Sequence, residues 1–255
     1  MGIKDMFKSQ KTKDKEAFHE KAKEVAKGKI VPGKAEELAR MSKEAGVDPA
    51  DDKTVMRKSI YNKAAGSAKA RGKLTADEAA ELSKIQKFLA LEDDQVERTK
   101  FDLLRLRTVT DIRAGKLPVV PQSHPLLRGM QWLNHEVAHY TVPVGVEDRP
   151  SASGYAGVLA KWETPYVINS ARGHSLPPKT SSKDLGDGTL VLTNKRLYLR
   201  ASKDAAVEYS PQANFFLYND GLRIERTVGN TILRFKTTSD STSEILGELL
   251  SALMR

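Results

Sequence analysis

The chain has 255 residues, 39% hydrophobic and 29% charged, a balance that suits folded domains, excludes a disordered chain and gives room for two cores. It has no cysteine, which excludes disulfides, thiolate nucleophiles and cysteine-based zinc sites together and fits a reducing compartment. The formal net charge of +9 is concentrated near the start, where the first 34 residues hold ten Lys against five Asp or Glu. Such a balance is attracted to phosphate-rich surfaces, either nucleic acid or anionic lipid.

Residues 1–27 read as a basic N-terminal helix with one narrow apolar edge. Ile3, Met6 and Phe7 have helical spacing, with Lys4 and Lys8 beside them, and Phe18, Ala22 and Val25 continue the stripe. These first side chains are the candidates for contact with a membrane or a partner.

Residues 28–116 read as a helical-repeat bundle. Gly28-Lys29-Ile30, Gly72-Lys73-Leu74 and Gly115-Lys116-Leu117 recur at spacings of 44 and 43. After the first two copies the register holds: Ala35 matches Ala79, Glu37 matches Glu81, and Leu38 matches Leu82. Thr75 with Glu78 three residues on has the spacing of a capping box. Helices are also expected over Thr54–Ala70 and Val96–Ala114, so the segment folds as two packed helical hairpins.

Residues 117–129 are rich in proline, which neither continues a helix nor fills a central ladder, and read as an interdomain linker. Beyond them the period changes from helical to alternating. The candidate strands are Glu136–Val144, Ala152–Lys161, Thr164–Ala171, Gly188–Thr193, Arg196–Ala201, Ala206–Tyr209, Phe215–Tyr218, Leu222–Thr227 and Thr231–Thr237. Ser241–Met254 then reads as a helix with Ile245, Leu246, Leu249, Leu250 and Leu253 on one face. The expected fold class is α plus β: an N-terminal helical bundle, then an antiparallel β-barrel or sandwich over residues 130–255, capped by the C-terminal helix.

The run Gly188-Thr-Leu-Val-Leu-Thr-Asn-Lys-Arg-Leu-Tyr-Leu199 resembles the central hairpin of bacterial PH-like and GRAM-type domains, and Tyr218-Asn-Asp-Gly-Leu-Arg-Ile224 resembles the hairpin that follows it. The resemblance implies a fold that binds lipid headgroups, peptides or protein surfaces. The repeated Gly-x-apolar-x-x-x-x-Ala-x-Glu-Leu pattern is similar to helical TerB-like domains, and no activity follows from it.

Two motifs carry possible metal chemistry. His135-Glu136-Val137-Ala138-His139 spells the zincin H-E-x-x-H pattern, which needs both histidines on one helical face. The β-branched, proline-stopped run that follows suits a strand, which would hold His135 and His139 about 13 Å apart. Ser67–Glu78 has the glycine and final glutamate of an EF-hand loop, but Lys69 and Arg71 stand where calcium needs oxygen ligands. Neither zinc nor calcium is expected, and no cofactor is implied.

The reading is therefore a non-enzymatic cytoplasmic adaptor whose PH-like domain binds an anionic lipid headgroup or a protein surface. The candidate ligand-binding residues are Lys161, Arg172, Lys195, Arg196 and Lys203. The alternative is an RNA- or ribosome-associated protein held by its basic N-terminal segment, and a more remote one is a zinc hydrolase acting through His135, Glu136 and His139. No apolar run reaches the roughly 20 residues of a membrane span, and no secretory signal opens the chain. A cytoplasmic location follows, with peripheral membrane contact as an option.

Overall fold

A computed structural model describes residues 10–149, 160–161, 168–170, 175–176, 182–209, 214–225, 230–236 and 240–254. The chain divides into two compact units between Thr110 and Asp111. The expected helical half, antiparallel sheet and closing helix are all present.

The first unit contains α1 (Gln10–Lys27), α2 (Lys34–Glu44), α3 (Thr54–Arg71), α4 (Ala76–Phe88) and most of α5 (Glu97–Arg113). α1 packs on α3 and α2 on α4. Ala22 and Ala26 of α1 and Ala64, Ala65 and Ala68 of α3 are fully buried; small side chains of this kind let helix axes approach closely. Larger side chains, among them Leu38, Ile60, Tyr61 and Ile85, fill the remainder of this core.

Each copy of the Gly-Lys-apolar repeat lies just past the end of a helix: α1, α3 or α5. Gly72 and Gly115 have φ of 62° and 79°, the left-handed conformation that stops a helix and that glycine adopts without a Cβ penalty. The chain then turns inward, and Ile30 and Leu74 are each 2% exposed. Thr75 caps α4 as its spacing requires: its Oγ1 accepts from the Glu78 N–H at 3.3 Å, and Glu78 Oε2 accepts from the Thr75 N–H at 2.9 Å. Arg71 Nη2 reaches Glu78 Oε1 at 2.7 Å, so the carboxylate of the EF-hand-like loop is engaged by a cation of the same loop.

The second unit is one sheet, closed by α6 (Asp240–Leu253). Its strands are β1 (Ala138–Arg149), β2 (Ala160–Lys161), β3 (Ile168–Ser170), β4 (Lys183–Thr193), β5 (Arg196–Arg200), β6 (Ala205–Glu208), β7 (Asn214–Tyr218), β8 (Gly221–Glu225) and β9 (Asn230–Phe235). The order across the sheet is β2-β3-β7-β8-β9-β1-β4-β5-β6, with every neighbouring pair antiparallel except β3 and β7. The central strands run longer than the alternation suggests: β1 extends to Arg149 and β4 begins at Lys183. Alternate residues face one side. Val142, Val144, Leu190, Leu192, Phe215 and Leu222 meet Leu246, Leu249 and Leu250 of α6 there, and all nine are at most 3% exposed.

The proline-rich segment read as a linker packs on the opposite side of this sheet. Leu127 and Met130 are buried with Val191 and Tyr198, and Leu117 joins the α6 side of the core. Val120 bridges Ala138 at the start of β1, its N–H donating to the Ala138 carbonyl at 2.8 Å. The prolines do end the helical half, but the apolar residues among them make the segment a layer of the second unit.

Candidate functional site

Two of the five candidate ligand residues, Lys195 and Arg196, stand at the tip of the β4–β5 hairpin. The side chains of the tip, Thr193 to Arg196, bond to the chain's own residues 131–137. Arg196 donates Nε to Glu136 Oε1 at 2.8 Å and Nη2 to Glu136 Oε2 at 3.0 Å, a two-pronged ion pair. Thr193 Oγ1 donates to Glu136 Oε1 at 2.8 Å, and the Leu133 N–H to Oε2 at 2.8 Å. Asn194 Oδ1 accepts from the Val137 N–H at 2.9 Å, its Nδ2 donates to the His135 carbonyl at 3.1 Å, and Lys195 Nζ donates to the Asn134 carbonyl.

The Glu136 side chain is 0% exposed and that of Arg196 is 12% exposed. Burial pushes the Glu136 carboxyl up; the hydrogen bonds from Arg196, Leu133 and Thr193 outweigh it and hold the group below the ordinary carboxylate range. The arrangement can hold a loop in place. Both Glu136 oxygens are taken by these donors, and the Arg196 guanidinium is engaged within the chain.

The H-E-x-x-H pattern spans a turn and the start of β1 rather than a helix. His135 is exposed, with φ of 56°, while His139 is buried, its Nδ1 lying 2.7 Å from the Pro118 carbonyl oxygen. Both histidines are thus placed apart, and among the described residues no group of three His, Asp or Glu is positioned to hold a metal.

The remaining candidates are not brought together. Lys203 is exposed in the turn after β5, at the far end of that strand from Lys195. Lys161 belongs to β2, which ends the sheet order opposite β6. Arg172 lies outside the described residues, as do Ile3, Lys4, Met6, Phe7 and Lys8.

Sequence reading missed two features. One is a buried carboxylate, Glu147, 1% exposed on the same side of the sheet as Arg234, which donates Nε to it at 2.5 Å; Ser182 Oγ donates at 2.8 Å. Nothing in the alternation marks Glu147 as inward. The other is α3, whose five basic and no acidic residues were visible in the sequence. Three of the five are engaged: Arg57 with the Leu89 and Ala90 carbonyls, Lys69 with Asp102, and Arg71 with Glu78.

Fold and side chains define a two-unit protein of helical bundle and curled antiparallel sheet, with its most conspicuous polar cluster used internally. The chain matches no protein-family description and no curated protein.

Proposed function

We propose that the protein acts by binding rather than by catalysis, as an adaptor whose second unit takes up an extended segment of a partner protein at the edge of its sheet. The likeness to PH-like domains belongs to this reading. So does the pairing of Arg196 with Glu136 at the β4–β5 tip, which takes that guanidinium from a lipid headgroup and favours the protein-surface arm of the expectation.

The observation that carries it is the position of β6. It is the last strand in the sheet order, among the described residues it pairs with β5 alone, and Ala205, Ala206 and Glu208 are exposed along it. An edge strand offers unpaired N–H and C=O groups to an incoming strand, and small side chains leave the approach open. Val207 alone turns inward and anchors the strand to the core.

The test is selection of binding peptides from a random displayed library, followed by backbone hydrogen exchange on the complex. Protection is expected at residues 205–208, with binding lost in Ala206→Pro and kept in Ala206→Ser. Selected peptides that protect other residues, or none that bind while anionic vesicles do, would sink the edge-strand reading. Among the described residues no helix is long and apolar enough to cross a membrane.

A further inference from the structure

A groove of about 830 Å³ runs along the outer side of α3, and Lys27 at the end of α1, Lys58 and Lys63 stand around it. None of these three lysines forms an ion pair among the described residues, in contrast to Lys69 and Arg71 of α3. Three like charges around one concavity repel one another unless an anion joins them.

Neutral donors line the same groove. Ser59 contributes a hydroxyl, and Ser67 lines the groove with an Oγ that donates to the Ala64 carbonyl at 3.4 Å. Asn62 Oδ1 accepts from Thr99 Oγ1 at 2.8 Å, which fixes the amide and leaves its Nδ2 hydrogens for a ligand. From Val55 to Ala70 the helix presents about 22 Å of such surface, at 1.5 Å per residue.

We infer that this groove binds the phosphodiester backbone of a single-stranded nucleic acid, independently of base sequence. The cations and hydroxyl and amide donors match phosphate and sugar oxygens. Among the described residues no aromatic side chain lines the groove, so base stacking contributes nothing and base identity goes unread. A bilayer is the poorer fit. The groove is concave, and its one large exposed apolar side chain is Val55, too little for insertion into a headgroup layer. The groove is built from residues of the helical unit and shares none with the β6 edge, so neither proposal depends on the other.

The experiment is fluorescence anisotropy with a short labelled oligouridylate and the full chain, across a salt series. If three lysines each neutralise one phosphate, affinity should fall about twentyfold between about 50 and about 200 mM salt. Lys58→Glu/Lys63→Glu should weaken binding and make the salt slope shallower by about 1.4, two thirds of the total. Lys58→Gln/Lys63→Gln, which removes charge without adding repulsion, should move both in the same direction. Lys4→Glu/Lys8→Glu should leave the contribution of Lys58 and Lys63 to the slope unchanged. Equal affinity and slope for wild type and Lys58→Gln/Lys63→Gln, with both folded by circular dichroism, would overturn the inference. So would binding to phosphatidylglycerol vesicles that depends on these lysines in a protein that does not bind the oligonucleotide.

Discussion

Glu136 keeps a carboxylate inside the second unit, and the arithmetic of buried charge says what happens when its partner goes. Removing one member of a buried ion pair leaves an uncompensated charge and costs about 3–5 kcal/mol, whereas replacing both members with apolar groups of similar size is close to neutral. Arg196→Met should therefore destabilise the second unit by about 3 kcal/mol, and Glu136→Leu/Arg196→Met by less than the sum of the two single changes. Urea unfolding of all four proteins measures this; strict additivity would show that the pair is not energetically coupled. The pH dependence has a definite sign. Because the folded carboxyl titrates below its unfolded value, its contribution is fully present above about pH 4.3 and is lost as the pH falls through the folded value. Acid should loosen the second unit through this group, and Glu136→Gln should flatten that part of the profile.

At the scale of elements, turns and caps follow from local chemistry, and Gly221 shows where local chemistry stops. The Asn219-Asp220-Gly221 signal placed the β7–β8 turn correctly. Gly221 has no left-handed φ, however; its hydrogen is needed because a Cβ would run into Leu176 Cδ1 and the Leu233 carbonyl oxygen. Gly221→Ala should cost about 1–3 kcal/mol by overpacking, while Gly145→Ala, with nothing within 4 Å of the added carbon, should be tolerated. Thermal unfolding of the two variants separates them, and equal losses would mean that the close approach relaxes freely.

The same contrast decides what was legible. Periodicity located the described α-helices and seven of the strands because each depends on neighbours a few residues away; most of the expected strands Ala152–Lys161 and Thr164–Ala171 lies outside the described residues. The pairing of Arg196 with Glu136 joins positions 60 apart, and nothing local in either segment marks it. Arg196 therefore reads as an exposed cation in the sequence, while the fold turns it onto Gln131 and Glu136.

For the whole molecule, the question is where the second unit begins. The prolines argue for residue 130; packing argues for Asp111. Ile112 is 2% exposed and Leu127 is 1% exposed, both within cores of the second unit, and Leu117 packs beside the former. Arg113 Nη2 also lies 2.5 Å from Glu248 Oε1 of α6, so the end of α5 helps to seat the closing helix. Burying an aliphatic side chain is worth about 1.5–3 kcal/mol. Losing Ile112, Leu117 and Leu127 together therefore removes an amount comparable with the whole stability of an ordinary domain, about 5–15 kcal/mol. A fragment of residues 111–255 should express as a folded protein with a cooperative thermal transition, and a fragment of residues 130–255 should be insoluble or lack that transition. Limited proteolysis of the full chain should spare residues 117–129 for the same reason. If the shorter fragment melts at the temperature of the longer one, the segment merely rests on the sheet, and the proline-rich stretch is a linker after all.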